Sequence, residues 1–258
     1  KRDNNENNNV FKKHRHANER FISLCYPVPM PKSKFQIYTK PWIKMETPAE
    51  KKRRSSKVVR ILQKIYPNAK IALNYQNNIQ LLVAVMLSAQ CTDKKVNEVT
   101  ARLFEKYKIA KDFANAKQSI FEKEIHQTGF YRAKAKNIIA ACKKIEGEFG
   151  GKLPRTMAEI LTLPGVARKT ANVVLGNAYD VVEGIAIDTH MIRLSQRLGF
   201  TKHTDPVKIE KDLMALFPKK QWFELTYMLI NHGRSICQAK KPKCAECPLN
   251  KLCPSSLA

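Results

Sequence analysis

Acidic residues are scarce in this chain relative to basic ones. Its 258 residues contain 22 Asp and Glu against 47 Lys and Arg, which gives a formal net charge of +25 at pH 7. This balance excludes a preference for cationic partners and indicates a polyanion, either nucleic acid or an anionic membrane surface. The hydrophobic content of 43% is ordinary for one or two globular domains, so the charge does not reflect disorder of the whole chain.

Long apolar runs are also missing. The longest, Leu81–Leu87, spans roughly 10 Å as a helix, about a third of a bilayer core. It predicts a buried helix, and no membrane partner is expected. Residues 1–20 are polar and basic, without the apolar core of a signal peptide. We therefore expect a cytoplasmic, nucleoid-associated protein in a bacterium, or a nuclear or organellar one in a eukaryote, where disulfides are not expected.

Strand-type alternation of apolar and polar residues is nearly absent, which argues against a sheet-based fold. From Lys57 onward apolar residues recur at helical spacing. Thr156 with Glu159 forms a capping-box pattern, and Asp205-Pro206 is typical of a helix start. We expect an all-α protein of about ten helices. After the first, they are predicted near residues 79–89, 93–107, 118–126, 132–148, 156–162, 167–178, 189–198, 207–216 and 221–236.

The leading segment is the most basic part of the chain. Residues 1–57 hold 15 Lys and Arg against 5 Asp and Glu, together with an Asn-rich tract and the basic cluster Lys51–Arg54. No apolar period runs through it, so residues 1–54 are interpreted as a disordered extension. The basic cluster is compatible with a nuclear address, a DNA-contacting arm or the solvated start of a helix.

Four of the seven cysteines form a cysteine loop near the C-terminus: Cys237, Cys244, Cys247 and Cys253, spaced C-x6-C-x2-C-x5-C. Four thiolates at this spacing can close around one metal centre. Zinc usually takes two CxxC pairs and only one is present, so the spacing favours a [4Fe–4S] cluster and leaves zinc as the alternative. Unliganded thiols clustered among lysines would be readily oxidised.

Glycine is scarce as well, with nine residues and none before Gly129. Gly165 therefore stands out, in the turn between the helices predicted near 156–162 and 167–178. A tight turn at glycine bares backbone N–H groups at a helix N-terminus, which can bind a phosphate without reading a base. The alternative is an ordinary corner between two helices.

Lys169 and Asp188, which both follow this turn in the sequence, are candidates for catalysis. Lys169 lies in the first turn of the second helix, where the helix end and Arg168 favour a neutral amine that can form a Schiff base with a sugar carbon. The alternative is a surface lysine that contacts one phosphate. Asp188 follows an apolar segment and precedes a helix. It is either a plain N-cap or a carboxylate that stabilises positive charge or moves a proton at the reacting centre.

Together, these motifs resemble the endonuclease III family of base-excision DNA glycosylases. The resemblance rests on Leu-Pro-Gly-Val-x-Arg-Lys-Thr-Ala at 163–171, Asp-Thr-His at 188–190, Leu-Ser-Ala-Gln-Cys-Thr-Asp at 87–93 and the cysteine loop. It implies a helix-hairpin-helix DNA glycosylase fold. A six-helix domain would span residues 71–182, and residues 55–70 with 183–258 would form an iron–sulfur cluster domain, with the active-site cleft between the two.

The resemblance also implies roles for single residues. Lys169 matches the Schiff-base lysine, Asp188 the catalytic aspartate, and the four loop cysteines the ligands of a [4Fe–4S] cluster. Gln90 matches a residue that fills the space left by the flipped nucleotide, and Phe130 stands where a leucine wedge is common. The other implied DNA contacts are Leu163, Gly165, Val166, Ala167, Arg168, Thr170, His190 and Arg193.

The sequence departs from the family pattern at a few positions. Ala167 stands where a second hairpin glycine is usual, which is expected to weaken the approach of a phosphate slightly. Phe130 replaces leucine, although an aromatic ring can also open a base step. The interval between Lys169 and Asp188 is slightly longer than usual, and residues up to about 50 have no family counterpart.

The implied activity is that of a bifunctional DNA glycosylase and AP lyase, acting as a monomer on double-stranded DNA with oxidised pyrimidines or abasic sites. Lys169 would displace the base, and β-elimination would nick the strand 3′ to the abasic site. Two alternatives stay open. The adenine-mismatch glycosylase branch shares hairpin and cluster but lacks a lysine at this position and adds a C-terminal domain. A non-catalytic, cluster-bearing DNA-binding module would have no need of Lys169 and Asp188.

Overall fold

The computed structural model describes residues 38–258, so most of the predicted disordered extension lies outside the described residues. Within that range the chain forms eleven α-helices and four short 3-10 helices, and no strand. The all-α prediction is confirmed. The α-helices are α1 Pro48–Ile65, α2 Asn78–Leu87, α3 Asp93–Lys106, α4 Ala110–Ala114, α5 Gln118–Glu124, α6 Tyr131–Phe149, α7 Met157–Ile160, α8 Arg168–Tyr179, α9 Thr189–Arg197, α10 Pro206–Leu216 and α11 Trp222–Ser235. The 3-10 helices are Pro41–Lys44, His126–Thr128, Lys219–Gln221 and Asn250–Leu252.

The chain divides into two compact units. The described part of the first unit is the continuous stretch 72–181, which contains α2 to α8. The second unit is discontinuous: residues 38–71 supply α1, and residues 182–258 supply α9 to α11 and the cysteine loop.

Helix α2 forms the centre of the first unit. All nine residues from Ile79 to Leu87 are buried, and the helix packs against α3, α6 and α8. The prediction of a buried helix at Leu81–Leu87 is thereby confirmed. Its N-terminus is closed by Asn77, whose side chain accepts hydrogen bonds from the backbone N–H groups of Ile79 and Gln80. Between residues 38 and 258, no helix has the length and apolar character needed to cross a membrane.

The second unit has its own hydrophobic core, to which α1, α9, α10 and α11 each contribute a buried apolar stripe. Leu62, Leu194, Leu213 and Leu229 are fully buried there. Burying each of these side chains contributes about 1.5–3 kcal/mol of transfer free energy. The two separated stretches of chain are therefore joined by packing.

Helix α1 begins earlier than predicted. The extension was expected to run through residue 54, but the helix starts at Pro48 and includes the basic cluster. Thr47 and Glu50 form a capping box, in which each side chain binds the other residue's backbone N–H. Arg54 is buried and paired with Glu46 at 2.6 Å. The first turns carry charges where later turns carry apolar residues, so helical periodicity alone places the start too late.

The other predicted helices lie within two residues of the observed ones, which is the usual uncertainty of helix ends. Both predicted start signals are present. Thr156 and Glu159 form the capping box of α7, and the Asp205 side chain accepts from the backbone N–H of Lys208 at the start of α10. The five-residue helix α4 was not predicted because it is too short to show a period.

Candidate active site and metal centre

The turn between α7 and α8 depends on glycine for two reasons. Gly165 has φ +77°, a left-handed conformation that side chains with a Cβ rarely adopt. A Cβ atom there would also lie 2.8 Å from Cβ of Asn137 and 3.1 Å from Cε of Met86. The turn is thus pressed against α6 and α2, and this close approach fixes the direction in which α8 leaves the hairpin.

Replacement of this glycine is expected to be costly. Gly165→Ala should lower the free energy of unfolding by about 2 kcal/mol, because left-handed strain adds to a backbone approach that has no room for a methyl group. Thermal unfolding would then shift down by roughly 4–8 °C. Gly150→Ala is the matched control, since Gly150 has φ +58° but nothing within 4 Å of the added Cβ. An equal shift in both variants would contradict a close-packed turn.

The N-terminus of α8 follows the turn. Its N-cap is Ala167, with extended backbone (φ −96°, ψ 168°) and no side-chain oxygen to accept from the first turn. The first N–H groups of a helix lack partners within the helix and carry partial positive charge. Because φ is negative at residue 167, alanine in place of the glycine that is usual in the family adds no backbone strain there. Lys169 is half-buried in this first turn and Arg168 is exposed.

Several predicted DNA contacts in the hairpin have buried side chains. Leu163, Val166 and Thr170 are 1, 2 and 5% exposed, so these side chains pack inside the first unit. The prediction that these three residues contact DNA is therefore corrected: their side chains are buried, and only their backbone groups are available to a phosphate. The buried residues instead hold the turn in place, and the exposed Arg168 and the half-buried Lys169 carry the charge.

Gln90 and Phe130, the two residues predicted to enter the DNA helix, share an uncommon backbone conformation. Gln90 has φ 52° and Phe130 has φ 48°. In the described part of the chain only Asp180 is also non-glycine with positive φ. Such a residue costs about 1–3 kcal/mol and persists only where the surrounding structure enforces it. Gln90 is exposed and the Phe130 ring is 53% exposed, so both side chains stand out from the first unit.

Asp188 belongs to the second unit and is the N-cap of α9. Its Oδ1 accepts a hydrogen bond of 2.8 Å from the backbone N–H of Met191, which leaves Oδ2 outside the cap. The buried residues Ile185 and Ile187 anchor the chain that leads into it. The two interpretations of Asp188 therefore do not exclude each other, because the cap holds a half-buried carboxylate in a fixed direction.

Arg193, one turn further along α9, was predicted to contact DNA, but it is only 7% exposed. Its guanidinium donates to the backbone oxygens of Gly233 at 3.0 Å and Cys237 at 3.3 Å. It also contacts Nδ1 of His190 at 3.1 Å. Burial lowers the pKa of Arg193 from its usual value. An arginine can only donate, so His190 Nδ1 accepts and the ring proton lies on Nε2. Arg193 thus orients His190, and its assignment as a DNA contact is corrected.

The contact between Arg193 and His190 requires glycine at residue 233 on α11. A Cβ atom there would lie 2.6 Å from His190 Nδ1 and 2.9 Å from Arg193 Nη2. For the glycosylase activity that the family resemblance implies, we expect Gly233→Ala to displace both side chains and to lower DNA affinity and the rate of base excision by about tenfold. Gly147→Ala, where the added Cβ meets nothing within 4 Å, should leave both unchanged. Unaltered affinity and rate in Gly233→Ala would argue against a role for the oriented His190.

The four cysteines of the loop line one cavity of about 100 Å³. Three of the sulfur atoms are also contacted by protein groups. Arg197 Nη1 donates to Cys237 Sγ at 3.3 Å, His232 Nε2 lies 3.5 Å from Cys247 Sγ, and Cys253 Sγ donates to the backbone oxygen of Arg197 at 3.4 Å. The loop is therefore held from α9 and from α11.

The cavity is large enough for a multi-atom cluster. The four cysteines line a shared space of about 100 Å³, which far exceeds the roughly 10–15 Å³ that one water-sized sphere needs. Burial raises the pKa of Cys253 to about 12 and also raises that of Cys247. Thiolates in this setting would need nearby positive charge, which a bound metal centre would supply and to which the guanidinium of Arg197 beside Cys237 would add.

Arg197 and His232 were not identified from the sequence. They lie 40 and 15 positions from the cysteines that they contact, so motif spacing cannot link them to the loop. Burial lowers the pKa of His232 to about 4, and a neutral imidazole faces the sulfur. For Arg197 alone the sequence contains one signal: it follows Arg193 by four residues, so the two arginines lie on the same face of α9.

Two family models match the chain. Residues 83–219 match the HhH-GPD superfamily base excision DNA repair protein model, and residues 237–253 match the iron-sulfur binding domain of endonuclease III. The second match begins and ends on cysteines, at the two limits of the cysteine loop.

Individual relatives agree with these models. Endonuclease III of Synechocystis sp. is 54% identical over 81% of this chain and 96% of its own length. Two solved structures cover 80% of this chain and 96% of theirs, at 42% identity and a TM-score of 0.76. One is described as a non-covalent endonuclease III–DNA complex and the other as a trapped endonuclease III–DNA covalent intermediate.

Proposed function

This chain belongs to the endonuclease III family of the HhH-GPD superfamily, and from this membership we infer that it is a DNA glycosylase with AP lyase activity. The observation that carries the inference is a lysine in the first turn of α8, directly after the glycine turn, in a chain that matches this family over 83–219. The enzyme binds DNA and carries a [4Fe–4S] cluster.

The substrates proposed are oxidised pyrimidines and abasic sites in double-stranded DNA. A net charge of +25 supports a search along phosphates that does not depend on sequence. We propose that the protein acts as a monomer in the compartment that holds the DNA, which is the nucleoid if the source is bacterial, like the relatives it matches.

Extrusion of the damaged nucleotide is proposed to use Gln90 and Phe130. The Phe130 ring would separate a base step while Gln90 fills the space that the nucleotide leaves. Unstacking costs a few kcal/mol, and less for a damaged base, which contributes to selectivity. Both side chains project from strained backbone positions in the first unit. This supports a role in which they are fixed in position before DNA binds.

The chemical step is assigned to Lys169 and Asp188. The neutral amine of Lys169 forms a bond to C1′ as the bond from C1′ to the base breaks, and the base leaves with a proton. Asp188 stabilises the positive charge that develops on the sugar. Opening of the sugar ring gives a Schiff base. Loss of a C2′ proton then expels the 3′ phosphate and nicks the strand.

The cluster is proposed to bind Cys237, Cys244, Cys247 and Cys253. When bound, it supplies iron–thiolate bonds that fix the loop, and none of the chemical steps above uses it. We expect a brown preparation with broad visible absorbance and about four iron atoms per chain. Oxidative removal of iron should bleach the colour and lower the unfolding temperature. A colourless protein containing one zinc would contradict this assignment.

A direct test of the proposed function uses a duplex with one thymine glycol and borohydride, which reduces a Schiff base to a stable bond. Base release, a strand nick and a covalent protein–DNA complex are expected on this duplex, and none on its undamaged counterpart. Base release without a nick or a complex would instead favour the monofunctional chemistry of the adenine-mismatch branch. The absence of all three, with retained DNA binding, would favour a non-catalytic module.

A further inference from the structure

The side-chain amine of Lys134 is buried, and none of the steps above uses it. It lies in the first turn of α6, inside the first unit, and is only 2% exposed. Lysine is almost never buried this completely unless its ammonium group is bound by other polar groups. Its Nζ donates to the backbone oxygen of Leu87 at 2.7 Å and to that of Thr128 at 2.8 Å.

The two oxygens belong to the ends of two different elements. Leu87 is the last residue of α2, and Thr128 is the last residue of the 3-10 helix His126–Thr128. Carbonyl groups at helix C-terminal ends lack partners within the helix and carry partial negative charge, so a cation there is favourable. One amine therefore binds the C-terminal ends of two helical elements that are 41 positions apart in sequence.

Both ends lead directly into the strained residues. Gln90 follows Leu87 by three positions, and Phe130 follows Thr128 by two. Their left-handed backbone would relax if the chain before them were free to move, because strain of this kind needs a surrounding structure that enforces it. Lys134 also anchors its own turn, since its backbone N–H donates to the oxygen of Phe130 at 3.1 Å.

We propose that Lys134 is a positioning residue for nucleotide extrusion, whose buried amine sets the spacing between Gln90 and Phe130 by holding the backbone oxygens of Leu87 and Thr128 together. The proposal rests on the extrusion role assigned above to these two residues. Lys134 touches neither the sugar nor the base. Its loss therefore weakens the opening of the duplex and leaves the chemistry of Lys169 intact.

The test compares two duplexes under single-turnover conditions, with thymine glycol opposite adenine in one and mismatched opposite cytosine in the other. Extrusion is easier from the mismatch. Lys134→Met, which keeps the length of the side chain without its donor, should slow excision about tenfold more on the paired duplex than on the mismatched one. Lys143→Met removes the same charge from an exposed position of α6 and should leave the ratio of the two rates at the wild-type value.

Two further variants separate positioning from general damage to the fold. If Lys134 acts through the extruding residues, Lys134→Met should add little to the defect of Phe130→Ala on the paired duplex. Lys134→Gln keeps an N–H donor on a shorter side chain and should retain more of the wild-type ratio than Lys134→Met. Should Lys134→Met not fold, Lys134→Gln takes its place in the comparison of the two duplexes.

Equal slowing on both duplexes, or multiplied effects in the double variant, would overturn the proposal. A wild-type protein that excises from neither duplex would instead overturn the proposed function, so the two failures can be told apart.

Discussion

In Lys169→Gln, the covalent complex with a thymine-glycol duplex under borohydride is expected to disappear, and the single-turnover excision rate to fall by about 10⁴-fold or more. In the proposed mechanism the side-chain nitrogen of Lys169 bonds to C1′, and no neighbouring group is expected to replace it. Glutamine has nearly the same helix propensity as lysine, and Lys169 is only half-buried in the first turn of α8. Thermal unfolding should therefore stay close to wild type.

Both halves of the reaction should be lost together in this variant. A preformed abasic site is also cut through a Schiff base, so nicking of such a site should vanish along with base release. Lys143→Gln removes one charge from an exposed position of the same unit and controls for weaker attraction to DNA. If the covalent complex persists undiminished in Lys169→Gln, another amine is the nucleophile. If base release alone survives, water attacks C1′ and the bifunctional mechanism is wrong.

Asp188→Asn is expected to lower the excision rate by about 10²-fold or more while leaving stability and DNA affinity nearly unchanged. The asparagine amide oxygen can still accept from the Met191 N–H, so the N-cap of α9 is kept. The substitution removes only the negative charge that is proposed to act at the sugar. Asp188→Ala should show the same kinetic defect together with about 1 kcal/mol of destabilisation, because it also removes the cap.

Asp205 provides a matched control in the second unit. It is likewise an N-cap aspartate, and its Oδ1 accepts from the backbone N–H of Lys208 at 2.9 Å at the start of α10. Asp205→Asn therefore makes the same chemical change in the same local geometry. It should leave the excision rate unaffected. A comparable loss of rate in the two asparagine variants would mean that Asp188 acts only through charge or helix stability.

Most of the helices could be predicted from the sequence because two local signals, apolar spacing and capping residues, agree at those positions. Apolar spacing marks the buried face, and residues such as Thr156 and Asp205 mark the starts. The start of α1 was placed too late for the converse reason. Its first turns are charged, and only the capping box of Thr47 and Glu50 identifies them. Helix α4 has five residues, fewer than a period needs.

For the candidate site, the sequence motifs predict residues with proposed chemical roles, but they do not reveal residues such as Arg197, His232 and Lys134, whose proposed roles depend on contacts. Lys169, Asp188 and the loop cysteines lie in motifs that can be recognised locally. The resemblance implied a DNA contact for Arg193, whereas in the structure its donors are buried and bind His190 and the backbone oxygen of Cys237. Lys134 binds backbone oxygens, and no sequence pattern records which backbone oxygen a distant side chain reaches.

The division of the chain into a continuous and a discontinuous unit has a consequence for synthesis on the ribosome. Residues 72–181 emerge in one stretch and can pack around α2 while translation continues. Residues 38–71 emerge earlier but have to wait for 182–258, because the partners of α1 lie in that last part. Cys253 follows Lys169 in the chain by 84 positions. A cluster on the four loop cysteines can therefore form only after Cys253 has been made, and a nascent chain that stops before it contains the hairpin and Lys169 but lacks one of the proposed ligands.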